Sequence, residues 1–507
     1  MKPSAEATAA WWRAPWFLAL GLVLVAMPLA WPDVPPLTDM PGHLGRYKIA
    51  LDLQHSEHLS RFYGFQWALL PNLGVDLAIV PLAWALGIEP AGKAIVMLTV
   101  VLTLTGFLWV AREAHGSIPP TWMFAAPLIL GYPFHYGFLN FILAMGIGFL
   151  ALGLWLYLGR LGQLRWRTVL FVPLGLVLWL AHGIGWGVIG LLVYGFELAR
   201  QVERGRPWPS AVVVAGLHCL PLAAPVLLIL IWGGGNMPTR DWFNMPWKLA
   251  SLMAALRDRW MTFDLISVIL LLAVIGLGAV SPRLRVSRGL AIGAALVFAA
   301  FMILPQILFG SARSDVRLAP YFLAAALLGI GFAPRVSARF ARGLAIAGVA
   351  FLIARLGANT ASLWIYHQDF ATELQALDHV PRGARLVAFV GNDCTPHWAT
   401  TRLDHLPGLA VVRREAFSND QWTVPGSHLL RVKAPWTDYV DPTHFVTEVK
   451  CTNRLWHTLD EALTELPLQD FDLVWLVRPP AHNPTLVAGW TPLWRHGTSV
   501  LYALPPP

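Results

Sequence analysis

Charge is scarce in this 507-residue chain: Asp, Glu, Lys and Arg make up 13% of it, against 56% hydrophobic residues. Soluble proteins carry nearly twice that charged fraction, and the mean hydropathy of +0.56 points the same way. The shortage excludes an ordinary soluble enzyme. Repeated apolar runs of roughly 17–22 residues read instead as a polytopic α-helical membrane protein. Cysteine is also sparse, and three thiols exclude a disulfide-rich scaffold. Motifs for several chemistries are missing: there is no HExxH, no Walker loop and no GxSxG elbow. The single GNDC at 391–394 does not make a cysteine-nucleophile constellation. No internal repeat occurs, and only the Pro-rich last residues are of low complexity. The net charge of +8 suits the cytoplasmic edge of an anionic membrane. Its arginines are dispersed among short loops, which argues against nucleic-acid binding.

What the chain does contain is a run of apolar segments whose orientation is set by charge. The first, Trp11 to Trp31, is aromatic at both ends and has no small-x-small cleavage site, so it reads as a retained span rather than a signal peptide. Lys2 and Arg13 precede it, which places the N-terminus in the cytoplasm and Asp39 on the far side. Leu70 to Gly87 is short and interrupted by Asp76 and Pro81, and so is either a second span or a helix lying in the interface. The flat reading puts later spans at about 92–111, 121–138, 139–159, 168–183, 185–199, 210–232, 265–280, 289–309, 318–334 and 342–357. The cytoplasmic turns then hold Arg112; Arg160, Arg165 and Arg167; Arg200, Arg204 and Arg206; Arg283, Arg285 and Arg288; and Arg335, Arg339 and Arg342. Short outer turns near 132–140 and 183–187 hold no Lys or Arg. Counting Leu70–Gly87 as a span would invert every later turn. The expected fold is therefore an all-α polytopic membrane protein of about eleven transmembrane helices, N-terminus inside and C-terminus outside.

After about residue 360 no membrane-length apolar run remains. ARLVAFVG (384–391), FDLVWLVRP (471–479) and SVLYAL (499–504) read as short buried strands of a parallel or mixed sheet, and ATELQALDHV (371–380) as a helix. The expected division is a transmembrane domain at 1–358, with an outer loop at 32–90 carrying interfacial helices, and a small periplasmic α/β domain at 359–507. Cys394 and Cys451 fall in the latter, where an oxidising compartment allows them to pair. Cys219 reads as an inert thiol inside a span.

The polar residues that interrupt apolar surroundings fall mostly on the outer side. Asp39 follows the first span. It either caps a helix starting near Pro41 or acts as a general base toward an acceptor hydroxyl; the two roles are compatible. His43, one turn on, orients Asp39, meets a phosphate or holds a metal, with Arg46 and Tyr47 nearby. His135 and Asn140 lie in GYPFHYGFLNF (131–141), an interfacial aromatic belt or a sugar-stacking wall. His182 in AHGIGW (181–186) ends a span beside a tight turn or faces substrate. Arg240 and Asp241 lie in GGGNMPTRDWF (233–243), and Arg313, Asp315 and Arg317 in GSARSDVRLAP (310–320). A guanidinium at mid-bilayer costs roughly 2.5–3.5 kcal/mol, so these arginines belong at the interface. There they snorkel to headgroups or fork a lipid-linked phosphate. MPWKLASLMAALRDRW (245–260) reads as an interfacial helix able to gate a site, after a GGGN start. Asp76 and Lys248 are weaker candidates.

Several of these stretches together resemble the GT-C superfamily of membrane glycosyltransferases, over roughly residues 10–360. LTDMPGHLGR (37–46) is similar to that family's acidic motif after span one. LPNLGVDLAIVPLAWALG followed by AGKAIVM (70–87, 91–97) is similar to its second interfacial helix leading into span two. GFLNFILAMGIGFLALGLW (137–155) and the AHGIG turn look like bacterial members. The resemblance implies a polyprenyl-phosphate-sugar donor, a lipid, glycan or protein acceptor, Asp39 as the catalytic acidic residue, and Arg317 as the late-loop cation that meets the lipid phosphate. Many members have two adjacent acidic residues, where Met40 follows Asp39 here. A divalent cation, Mg or Mn, would fall to Asp39 and His43. The sequence expectation is an inverting glycosyltransferase of a bacterial inner membrane, in contact with membrane lipids. Its rivals are a transporter or flippase of lipid-linked sugars and a ligase-type glycan transferase.

Overall fold

The computed structural model describes residues 10–231, 238–395, 397–424, 428–452, 454 and 456–505. Lys2 and the GGGN start of the 232–264 loop lie outside the described residues. The chain divides into two compact units. One comprises Met1–Trp31, Leu69–Leu77 and Ile95–Ala361, the other Pro32–Ala68, Ala78–Ala94 and Ser362–Pro507.

The first unit is helical. Among the described residues, five helices are long and apolar enough to cross a membrane: Ile88–His115, Leu139–Arg160, Leu164–Ala181, Met261–Val280 and the one that starts at Ala338. The shortest, of 18 residues, reaches about 27 Å at 1.5 Å per residue, close to the roughly 30 Å hydrocarbon core. Shorter apolar helices, Pro15–Leu29, Trp208–Ala223, Arg288–Ile303 and Val316–Leu328, coincide with four further predicted spans, and Gly183–Glu203 with another.

The predicted span at 121–138 is not one helix. It folds as the short helix Trp122–Ala125, the 3-10 turn Ala126–Leu130 and the short helix Tyr132–Tyr136. Pro127 and Pro133 lack the amide proton a continuous helix needs. Irregular backbone is tolerable at membrane depth only when protein covers it, and residues 122–135 are all buried. Helices elsewhere approach through small residues: a Cβ on Gly195 would sit 2.4 Å from the amide nitrogen of Gly293. Leu70–Gly87 contains the helix Gly74–Leu86. Its 13 residues span about 20 Å, too little to cross, and Trp84 is almost fully exposed.

The second unit is built on a six-stranded mixed sheet. Its order is His457–Thr458, Phe445–Thr447, Leu386–Gly391, Leu473–Val477, Ser499–Ala503, Thr491–His496. The first four strands are parallel, and the last two join antiparallel. Uninterrupted apolar runs such as Leu386–Val390 suit strands covered on both faces, and all five residues are buried. The three predicted strands are present. The predicted helix at 371–380 is instead the end of a 36-residue helix, Ala338–Glu373, plus the 3-10 turn Leu374–His379. No proline interrupts that helix, so the boundary read at 358/359 falls inside it.

The segment after the first span also belongs to this unit. Ile49, Leu59, Phe62 and Tyr63 share a core with Phe417 and Trp436, and Tyr63–Phe65 pairs antiparallel with Leu430–Val432. The spatial division is therefore not the linear one. Cys394 and Cys451 are disulfide-bonded; Cys219 is a free, half-buried thiol.

Candidate active site

Asp39 occupies the N-cap position of the helix Met40–Asp52, with Pro41 in the first turn. Its side chain makes no capping hydrogen bond, so the carboxylate is not committed to starting the helix. That side chain is 13% exposed, and its Oδ1 lies 3.9 Å from Nε2 of His405. Nδ1 of the same ring lies 3.9 Å from Oδ2 of the buried Asp420. Burial pushes the His405 imidazole down to about 3 and the Asp420 carboxyl up to about 7. Asp39 therefore faces a neutral ring at neutral pH.

The close fit behind this arrangement comes from PGHLG at 41–45. A Cβ on Gly42 would meet the Trp422 ring at 2.7 Å and Cβ of His405 at 3.3 Å. A Cβ on Gly45 would meet Gln421 at 2.6 Å and the Gly408 carbonyl at 3.0 Å. Two glycines three apart share one helix face, and that face rests on the segment before and within the helix Gly408–Arg414. His43 packs its ring 5.0 Å from Trp422 and stacks beside Tyr47. Arg46 is buried, with its guanidinium 5.3 Å from the Tyr47 ring. Arg402 donates 3.0 Å to the Pro36 carbonyl, tying down the chain just before Asp39.

The helical unit holds the second cluster. His182 starts the helix Gly183–Glu203, and its Nε2 lies 3.0 Å from the Arg317 guanidinium. Arg317 also donates to Ser311 Oγ at 3.1 Å and lies 4.1 Å over the Phe138 ring. Arg313 donates to the Tyr132 hydroxyl and lies 4.3 Å over Tyr136. Arg257, which no sequence signal singled out, lies 5.2 Å over Tyr132. The aromatic turn 132–138 thus carries three guanidiniums, each held by a cation–π contact. Asp315 takes no part in that group: it is buried, and Lys248 donates to it at 2.6 Å. Lys248 comes from the helix Met245–Met253, a shorter helix than the predicted 245–260.

Other predicted residues make different contacts. His135 is fully buried, with Nε2 2.7 Å from Asn359 Nδ2 and 3.7 Å from Asp258. Asn140 is buried too. It accepts from the Val75 amide at 2.6 Å and donates to the Asn72 carbonyl and the Asp76 carboxylate, fixing the start of the helix Gly74–Leu86. Arg240 is exposed and forms an isolated bridge to Ile307.

His405, Asp420, Trp422, Asp441 and His444 are absent from the sequence-level candidates. Their neighbours TRLDHLPG and DPTHF alternate Asp and His with proline and show no helix or strand period. That is the signal that marks them. The nearness of His405 to Asp39, 366 residues away, is not visible in any local pattern.

No family model matches the sequence, and no curated protein does. Among solved structures, the chain is similar to ArnT from Cupriavidus metallidurans in the apo state, at 12% identity and a TM-score of 0.49. It is similar to the same protein bound to undecaprenyl phosphate at 13% identity, with the same TM-score. Each match covers 96% of this chain and 97% of the other.

Proposed function

We propose that this chain is an integral glycosyltransferase of a bacterial inner membrane. It moves one sugar from a polyprenyl-phosphate carrier to an acceptor hydroxyl on the periplasmic side. Asp39 takes the hydroxyl proton, the oxygen attacks the anomeric carbon with inversion, and the carrier phosphate leaves. Arg317, with Arg313 and Arg257, balances the charge developing on that phosphate. The sugar-carrier bond breaks as the new glycosidic bond forms, and the proton ends on Asp39.

The observation that carries the reading is the state of Asp39. A carboxylate at a helix start, part-exposed and set against a neutral imidazole is arranged to accept a proton. The guanidiniums on the aromatic turn support the phosphate half, since paired arginines fit phosphate oxygens by geometry. The disulfide supports an oxidising compartment for the C-terminal unit.

Asp39→Asn tests the base directly. In vesicles loaded with donor, transfer falls by roughly 10²–10⁴ if Asp39 is the base; a normal rate removes it from that role. Purified protein that moves lipid-linked sugar across vesicles while forming no glycoside would replace the enzyme reading with a transporter.

A further inference from the structure

In the unit built on the mixed sheet, His405, Asp441 and His444 each offer a ligand atom within 4.8 Å of the others. Asp441 and His444 share one turn just before the strand Phe445–Thr447, and His405 arrives from the turn before the helix Gly408–Arg414. Zinc bonds of 2.0–2.1 Å in a four-coordinate site set donors about 3.3 Å apart, so shifts of about an ångström close the sphere.

A second observation is independent of that spacing. His444 is fully buried; the Asp404 backbone faces its ring, yet neither ring nitrogen has a hydrogen bond of standard geometry among the described residues. Nδ1 of His405 and Oδ2 of Asp420 are in the same condition beside it. Asp441 Oδ1 stands 3.9 Å from His444 Nδ1, too far for a hydrogen bond. Native interiors pair nearly all buried polar atoms, so several unsatisfied atoms in one pocket point to a ligand that supplies their contacts.

We infer that His405, Asp441 and His444 bind a divalent transition metal of the zinc type. Two imidazoles and one carboxylate match zinc's donor preference better than that of magnesium. Three protein ligands leave room for a fourth, from water or a substrate oxygen. His405 is suited to this duty because each ring nitrogen faces a carboxylate, Asp420 on one side and Asp39 on the other. Whichever nitrogen binds metal, the other is oriented by an acid, a pairing common behind metal-bound histidines. The site does not depend on the transferase reading. It differs from the cation site expected at Asp39 and His43, and His405 is its positioning link to Asp39.

The test uses the full-length protein in detergent, stripped with a chelator, reloaded with zinc alone and dialysed, with bound metal measured by mass spectrometry. Wild type retains about one equivalent, while Asp441→Asn and His444→Gln each retain less than about 0.2. His397→Gln and His457→Gln, at exposed histidines, retain the full equivalent. Reloading with cobalt gives wild type the strong visible absorption of a four-coordinate site, and His444→Gln abolishes it. No zinc above background in wild type overturns the inference, as does full retention in monodisperse Asp441→Asn. If both ligand variants fail to fold, the cobalt spectrum of wild type decides alone, and one lacking the four-coordinate bands overturns the site.

Discussion

At the scale of single residues, His182 shows how one hydrogen bond dictates another. Nε2 faces the Arg317 guanidinium at 3.0 Å, and Nδ1 faces the Ile184 amide at 3.2 Å. Both neighbours are donors, and a neutral imidazole accepts at only one nitrogen. The Ile184 amide donates to Nδ1 and so caps the helix Gly183–Glu203, while Nε2 stands against the Arg317 guanidinium. Arg317→Lys keeps the charge but loses the fork. The expected result is a donor KM raised roughly 10- to 100-fold, in line with 1.5–3 kcal/mol for a charged hydrogen bond, and measured against the lipid-linked donor. An unchanged KM removes Arg317 from phosphate binding. The sequence pointed to both residues because charge beside an apolar run is conspicuous. It could not point to Arg257, whose RDRW surroundings look like any interfacial charge cluster.

At the scale of elements, the short helix Glu57–Phe62 and the strand Tyr63–Phe65 carry more of the architecture than their length suggests. Ser56 caps the helix by accepting from the Leu59 amide at 3.1 Å, and donates to Glu415 at 2.6 Å. Phe62 is fully buried, with ring contacts to Phe417 at 5.8 Å and Trp436 at 5.1 Å. Phe62→Ala is expected to destabilise this unit by about 3–5 kcal/mol, read as a lowered thermal midpoint in detergent. A shift below about 1 kcal/mol would mean the ring contributes little to this core. The buried 122–135 stretch belongs to the same scale. Its hydropathy looks like a span because burial in protein and burial in lipid select the same side chains. Only the prolines at 127 and 133 hinted that no continuous helix forms.

At the scale of the whole molecule, orientation rests on charge asymmetry rather than on any one residue. Arginine-rich turns lie on one side, the short turns near 132–140 and 183–187 on the other hold no Lys or Arg, and this favours an internal N-terminus and an external C-terminus. A reporter enzyme active only outside the cytoplasm, fused after the last residue, is expected to be active, and one fused after Arg206 inactive. The opposite pattern would invert the topology and place Asp39 in the cytoplasm. The disulfide between cysteines 57 residues apart agrees with the external assignment.

Helix-rich architecture, the approximate position of most long apolar helices, the short Gly74–Leu86 helix and the strands of the C-terminal sheet all followed from the sequence alone. Each depends on hydrophobicity summed over neighbouring residues, a local property. Tertiary structure alone decided that residues 32–68 fold with the C-terminal sheet, that 121–138 is broken, and that Asp39 lies near His405. Those outcomes depend on which distant surfaces bury one another. Two glycines set the approach of one helix, and a buried ring is placed by contacts from segments more than three hundred residues away.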